Sequence, residues 1–320
     1  MPVGCRSDAG LSAPIIKRLK TAEWCECIDV YLIAANYKES YEKIDRYLDF
    51  ERNRKKPDLI LCVGDRTEMA AAARAAFDNH IPIGHVYAGA LGDYETKATL
   101  DDVNRFVISL YADIAFCEDR KAVFRVFKLW KISHKINELT MELEQDFERF
   151  HIHEVGITHM DDLITDESKV PPKPYDLVLY NPITIKIMNK GYNNYSELLD
   201  LVLKGYLLPD SVERTIISIG PNPDSNLFKN KINYTYNTLP HAQFLGLLKN
   251  CTRFITNSSA GYYEAPFFLK KEQIVWVGLR NNKRREYRRL ETGASDKIVK
   301  ILKVYLKSTF FHKNLTNEVF

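Results

Sequence analysis

Three charged side chains in the first half of the chain have the types and spacing for proton chemistry on a polar substrate. Asp65 lies in Val63-Gly64-Asp65-Arg66, directly after an apolar run and before an alanine-rich one. That order puts its carboxylate at the carboxyl end of a strand, where open α/β sheets bind ligands. An aspartate there also suits a helix N-cap, and both readings stay open. Leu100-Asp101-Asp102-Val103-Asn104-Arg105 sets Asp101 and Arg105 four apart, on one helix face and within pairing distance. An ordinary surface ion pair explains that spacing equally well.

In the second half, Ile255-Thr256-Asn257-Ser258-Ser259-Ala260-Gly261 joins a strand to a helix that holds Glu264. Small hydroxyl residues and a glycine let backbone N–H groups approach a diphosphate, and a helix N-terminus favours the negative charge. The competing reading is a capping box, for which Gly261 and Glu264 have the spacing and Ser259 and Glu264 do not. Glu264 suits ribose hydroxyls, as carboxylates do in dinucleotide sites.

The elements needed to position these residues are legible around them. Asp29 to Ala34, Asp58 to Val63, Ile81 to Tyr87, Ile114 to Phe116 and His153 to Val155 read as strands, with helices such as Thr67 to Phe77 and Asp102 to Tyr111 between them. That alternation predicts a parallel α/β sheet. The segment from Thr165 to Tyr175 carries three prolines, which stop helices and central strands, and marks a domain boundary. Beyond it Asp176 to Tyr180, Thr215 to Ile219, Arg253 to Ile255 and Gln273 to Val277 read as strands of a second parallel sheet. The expectation is two Rossmann-like domains, 1–168 and 169–320, with a cleft between them, leaving open whether the last helix crosses back to the first. Lys131 to Phe150 reads as a charged surface helix with an apolar stripe of Ile136, Leu139, Leu143 and Phe147.

Composition sets the outer limits. The 320 residues are 45% apolar, ample for two cores. No run of about 18 uncharged apolar residues appears, and the start lacks the zones of a signal peptide, so a cytoplasmic protein without a membrane segment is expected. The six cysteines are scattered, several in apolar runs, and read as core thiols. Cys25-Glu26-Cys27 has no partner pair at zinc spacing, so no metal site is expected. A net charge of +3 is too mild to declare a nucleic-acid binder. The basic runs Arg52 to Lys56 and Lys283 to Arg289 read as a solvated loop and a solvated helix face, or else as contacts for a phosphate-rich partner.

Taken in order, the motifs resemble the UDP-N-acetylglucosamine 2-epimerases, the hydrolysing branch most closely. Gly4-Cys5-Arg6-Ser7-Asp8 is similar to the family's opening loop, and Pro57 to Leu61 leading into Gly64-Asp65-Arg66 to its central signature. His85-Val86-Tyr87-Ala88-Gly89, Asp101 to Arg105, Gly156 to Leu163, Pro221-Asn222-Pro223-Asp224, Asn257 to Gly261 with Glu264-Ala265-Pro266, and Gly278-Leu279-Arg280 follow at similar spacing. The resemblance implies a GT-B fold, a UDP-sugar as substrate and no further cofactor. It also implies that Arg6, Arg66, Asn181, Asn222, Ser258, Ser259, Gly261, Glu264 and Arg280 hold the UDP-sugar, while Asp65, Asp101 and Arg105 face the sugar.

Two departures bear on the reaction. Where the family has a glutamate this chain has Tyr87, and where it has the histidine of Gln-His-Pro-Val-Thr this chain has Asn181, which does not titrate. General acids and bases contribute about two to four orders of magnitude each. Epimerisation must break a C2–H bond as well as the anomeric C–O bond, whereas glycosyl transfer needs only the latter and a base for the acceptor. The segment Asn36 to Pro57 is also short for the family, which implies a more open cleft. The sequence therefore reads as a UDP-sugar-dependent glycosyltransferase on the 2-epimerase scaffold, with a nucleic acid as one acceptor that fits the basic runs. A divergent UDP-N-acetylglucosamine 2-epimerase and a catalytically silent UDP-sugar-binding protein are the alternatives, and a homodimer is left open.

Overall fold

The computed structural model describes residues 1–4, 6–32, 36–52, 56–91, 100–133, 150–181, 215–220, 235–278, 281 and 285–317. They form two compact units, the first drawn from Met1–Leu91, Leu100–Asp162 and Leu290–Phe320, the second from Leu163–Arg289.

In the first unit β1 (Pro2–Val3), α1 (Arg6–Lys20), β2 (Val30–Tyr31) and α2 (Tyr37–Arg52) lead into β3 (Ile60–Val63), α3 (Thr67–Asp78), β4 (Ile83–Val86), α4 (Leu100–Tyr111), β5 (Ile114–Cys117), α5 (Arg120–Ile132) and β6 (Ile152–Glu154). β1 and β2 pair in parallel, and β3-β4-β5-β6 form a four-stranded parallel sheet in chain order. β3, β4 and β5 are buried throughout, as helices cover such sheets on both faces, whereas β6 ends in the exposed Glu154. α3 is buried almost all round, with Met69 to Ala73, Ala75 and Ala76 at 2% exposure or less. Alanine suits that position, combining the best helix propensity with a side chain small enough for α2 and α4 to pack closely. Cys62 and Cys117 are free, buried thiols in this core, and burial pushes Cys62 up to about 12, so both serve as small apolar residues.

The unit closes with α8 (Ala294–Asn317), which returns to pack on α1. Asp161 holds its start: Oδ1 accepts the Ala294 N–H at 3.3 Å and Oδ2 the Ser295 N–H at 2.6 Å. Three orphan donors of a helix terminus, Gly293's included, thereby find one carboxylate 132 to 134 residues away in sequence.

The second unit holds β7 (Tyr175–Leu179), β8 (Thr215–Ile219), α6 (His241–Asn250), β9 (Arg253–Thr256), α7 (Ala260–Tyr263) and β10 (Ile274–Trp276). Its sheet is parallel, in the order β10-β9-β7-β8. Asp176, fully buried on β7, is paired with Arg253 of β9, Oδ2 to Nη2 at 2.6 Å, in the register that places the two residues opposite each other.

The alternation expected from sequence is present, with shorter strands: the run Ile81 to Tyr87 yields only Ile83–Val86, because Tyr87 leaves extended backbone at φ 65°. Of the expected helix Lys131 to Phe150, residues 134–149 lie outside the described residues. The proline segment is packed rather than loose, with the Asp166 N–H donating to Ala242 O at 2.9 Å and Glu167 pairing with Lys249 at 2.9 Å. Nor is 285–289 a solvated helix face. It is irregular, Arg285 lies over Trp276 at 5.3 Å, Arg288 donates to the Tyr262 hydroxyl at 3.2 Å, and Arg289 stacks on Phe267 at 4.5 Å. No helix among the described residues is long and apolar enough to cross a membrane.

Candidate active site

The carboxyl ends of β3 to β6 carry the ionisable residues of the first unit. Gly64 follows β3, and its φ of 86° turns the chain sharply before α3 and favours glycine. Asp65 follows and does not cap that helix: the N-cap is Arg66, without a side-chain cap bond. Its carboxylate is ion-paired with Nη2 of Arg105, while Arg105 Nη1 donates to Ala90 O at 2.7 Å and lies 3.9 Å from Asp102. Arg105 is 5% exposed. The surface-pair reading of Asp101 and Arg105 therefore fails, because the guanidinium turns inward to Asp65 and Asp102 while Asp101 lies on the exposed side of α4. Arg66 contacts Glu68 at 3.4 Å.

His85 on β4 fixes this rim from below. It is fully buried, with Nε2 2.8 Å from Gly64 O and Nδ1 2.9 Å from Ser109 Oγ. A carbonyl only accepts, so Nε2 carries the proton and Nδ1 accepts from the serine. Burial lowers its pKa to about 3, with the nearby Arg105 charge acting in the same direction, so the ring stays neutral and pins the Gly64 turn to α4.

Tyr87 is buried at 5% exposure and left-handed. Its hydroxyl oxygen is 3.0 Å from the Thr158 N–H, 3.0 Å from Thr158 Oγ1 and 2.9 Å from His159 Nδ1. Burial pushes its pKa above the ordinary phenol value. Two residues on, Gly89 sits against the backbone of Ala122 where a Cβ would collide, and its carbonyl accepts from Arg125.

The second unit presents amides and hydroxyls. Asn257, fully buried after β9, accepts the Asn181 N–H at 2.7 Å and donates to Asn181 O at 2.7 Å, while its own carbonyl accepts from Asn281 at 2.8 Å. One side chain thus joins the ends of β7 and β9. Thr256 Oγ1 donates to Leu179 O at 2.7 Å and accepts the Ser258 N–H at 2.9 Å, and Ser258 Oγ accepts the Ala260 N–H at 3.3 Å. Ser259 is the N-cap of α7 with helical dihedrals and no side-chain cap bond. That helix is only four residues long and Glu264 is its C-cap, since Pro266 opens a 3-10 turn, so Glu264 does not lie one or two turns into a helix and no capping box forms with Gly261. Gly261 is explained by packing, its missing Cβ leaving room for the Trp276 ring. Glu264 instead lies 3.7 Å from His241 Nε2 at the start of α6.

The sequence-derived set thus falls into two groups. Asp65 and Arg105 are brought together in the first unit, with Arg66 beside them in sequence; Asn181, Ser258, Ser259, Gly261 and Glu264 cluster around the ends of β7 and β9 in the second. Arg6 opens α1, but its side chain, like Asn222 and Arg280, lies outside the described residues. Asn257, His241, Asp102 and the pair Thr158–His159 were not singled out as site residues. His159 was the most legible of these, as a titratable residue inside the otherwise neutral stretch Val155 to Met160.

Residues 36–308 match the family model described as UDP-N-acetylglucosamine 2-epimerase. The chain belongs to the UDP-N-acetylglucosamine 2-epimerase family. Among curated relatives of this 2-epimerase-family chain, the GDP/UDP-N,N'-diacetylbacillosamine 2-epimerase (hydrolyzing) of Campylobacter jejuni is 27% identical over 254 residues, 72% of this chain and 58% of the relative. A UDP-N,N'-diacetylbacillosamine 2-epimerase (hydrolyzing) of Legionella pneumophila is 25% identical over 71% of this chain and 58% of the relative. The chain therefore spans a little under three fifths of the length of these relatives. An S. aureus MnaA–UDP co-structure matches with a TM-score of 0.67 and 18% identity over 96% of each chain. The Methanocaldococcus jannaschii UDP-GlcNAc 2-epimerase in complex with UDP-GlcNAc and UDP matches with a TM-score of 0.64 and 17% identity, over 95% of this chain and 98% of that one. The fold is the α/β fold with parallel sheets of the GT-B 2-epimerases.

These matches overturn the expectation of a glycosyltransferase, since the family model and the curated relatives are 2-epimerases, which are isomerases. That expectation rested on the missing glutamate and histidine. An absent acid or base says which group no longer moves a proton; it does not supply an acceptor site. A nucleic-acid acceptor, which rested on that expectation, is not shown by these matches, and the arginines of 285–289 are engaged within their own unit.

Proposed function

We propose that the chain is a divergent 2-epimerase of the hydrolysing type acting on a UDP-linked N-acetylhexosamine. In this reaction a base takes the C2 proton, the C2–H electron pair forms a C1=C2 double bond, and the C1–O bond breaks with its pair on the UDP oxygen. Water then adds at C1 and a proton returns to C2 on the opposite face, giving UDP and the 2-epimeric sugar. The observation that carries the reading is Asp65, held by the buried Arg105 guanidinium at the carboxyl end of β3. A carboxylate so anchored is oriented for proton exchange with a sugar hydroxyl or water. Ser258, Ser259 and Glu264 suit the nucleotide, as small hydroxyls and a carboxylate for phosphate and ribose.

The test is to incubate the protein with UDP-GlcNAc and with UDP-N,N'-diacetylbacillosamine in heavy water and follow products by NMR. Deuterium at C2 together with free UDP and a 2-epimeric sugar is the expected result. Neither C2 exchange nor UDP release from either donor, with UDP still bound, would replace this reading with that of a silent UDP-sugar-binding protein, which the tyrosine at position 87 favours.

A further inference from the structure

Away from the carboxyl-end rim, the first unit has an open groove of 430 Å³ lined by Tyr37, Lys38 and Tyr41 of α2, Arg74 and Asp78 of α3, and Tyr111 of α4. Its place follows from the connectivity. α3 and α4 each join neighbouring parallel strands, so both start at the carboxyl end of the sheet and finish at its amino end. Arg74, Asp78 and Tyr111 belong to the final turns of these helices, which puts the groove at the opposite end of the sheet from Asp65. None of the residues assigned above to the UDP-sugar or its chemistry lines it. Its volume is in the range of small-molecule sites, about 300–1,000 Å³.

The lining residues are partly tied to one another and partly open. Asp78 Oδ2 accepts from the Tyr41 hydroxyl and from Arg74 Nε, each at 2.9 Å. Arg74 Nη1 donates to the Tyr111 hydroxyl at 3.2 Å, and Phe77 packs on the Tyr111 ring with centroids 4.9 Å apart. One arginine and one aspartate therefore fix rings from α2 and α4 in place, which lowers the cost of ordering them around a ligand. Arg74 Nη2 and the Tyr37 hydroxyl make no hydrogen bond among the described residues. Lys38 Nζ lies 3.8 Å from Glu42, beyond hydrogen-bond range, with 84% of its side chain exposed. Since Arg74 neutralises Asp78, the charge of Lys38 is left over beside three phenol rings. A cation would be repelled by Lys38 and Arg74, and an uncharged ring would leave their donors unused. A planar ring carrying an anionic group engages both parts of the lining.

We propose that this groove binds a small aromatic anion, its ring packed among Tyr37, Tyr41 and Tyr111 and its carboxylate or phosphate held by Lys38 and the open Nη2 edge of Arg74. The site is separate from the one that serves the UDP-sugar, and its occupancy is read without turnover.

The experiment titrates the full chain with naphthyl phosphate and with naphthoate, following the tyrosine ring signals by NMR. It is repeated with inorganic phosphate and with naphthol, each of which carries half of the chemistry. Saturable shifts at Tyr37, Tyr41 and Tyr111 are expected with the aromatic anions, the tighter of the two identifying the charged group as phosphate or carboxylate, and binding of the half-ligands is expected to be weaker by about tenfold or more. Tyr37→Ala should weaken binding of the tighter anion by about fivefold to a hundredfold, as loss of a stacking ring does. Lys38→Ala should weaken it by about twofold to fivefold at low salt and less at high salt. Both side chains are exposed, so these variants keep the fold. No saturable shift at these rings with either anion, a half-ligand that binds as tightly, or unaltered affinity in either variant would overturn the proposal. Shifts of the same rings on raising the concentration of the protein alone would assign the face to a second copy of the chain and overturn it equally. The 2-epimerase reading is decided separately, by C2 exchange.

Discussion

The carboxyl ends of the two sheets are made of different materials. The first unit gathers ionisable groups there, with Asp65, Asp102 and Arg105 in one network and Tyr87, Thr158 and His159 in another. The second unit gathers neutral amides and hydroxyls that grip backbone: Asn257 on Asn181, Asn281 on Asn257, Thr256 on Leu179. Proton-transfer groups act one at a time, so a glutamate can be exchanged for a tyrosine without dismantling the rim. Interlocked amides act through shared geometry, and replacing one loosens the rest. Of the two departures from the family resemblance, Tyr87 falls in the first group and Asn181 in the second.

The largest effect that would break this contrast is expected at Asp65. Asp65→Asn should lower product formation by about two to four orders of magnitude with UDP affinity retained, as checked by NMR turnover and calorimetry; wild-type turnover would remove Asp65 from the chemistry. Asn257→Ala should do the reverse. It leaves the buried Asn181 N–H and carbonyl without their partner, at about 1–3 kcal/mol for each stranded group. Denaturant unfolding should therefore show a loss of that order, and a variant as stable as wild type would show that the clamp carries no load. Smaller is Glu264→Gln, which should raise the Kd for UDP about tenfold, in keeping with one charged hydrogen bond, and leave the rate at saturating substrate unchanged. An unaltered Kd would place Glu264 with His241 as a purely structural pair.

A last effect is in pH dependence, and it reports on the first unit. His85 has its pKa lowered from 6.5 to about 3 in the folded protein, so below 6.5 the unfolded chain binds a proton that the folded one refuses. Its contribution is whole above pH 6.5 and is lost progressively as the pH falls towards 3. Thermal unfolding should show Tm dropping across that window, and His85→Gln should flatten the drop while lowering Tm at pH 7.

Much of the scaffold was legible because its determinants are local. Apolar runs punctuated by glycine and alanine-rich stretches mark β3, α3 and β5 with little help from the rest of the chain. The glycine turn before Asp65 likewise announced a strand-end carboxylate. What escaped depends on contacts across the sheet. Arg105 was assigned to Asp101 by spacing along a helix, but burial decides the partner, and Asp65 is 40 residues away. Gly261 was read as room for a phosphate when the Trp276 ring fills that room. His159 lies 72 residues from Tyr87, and no pattern in the sequence couples the residue after β4 to the turn after β6.

The return of α8 to α1 also orders the protein's biosynthesis. The described residues of the second unit all come from Leu163–Arg289, whereas the first is complete only once Ala294–Asn317 has been made. Domains fold largely as units during synthesis, so the later-encoded unit is whole first. Until the final helix emerges, the Asp161 carboxylate and the apolar side of α1 wait uncovered. The nascent chain thus exposes its first unit throughout the making of its second, and that interval is when a chaperone would have its substrate.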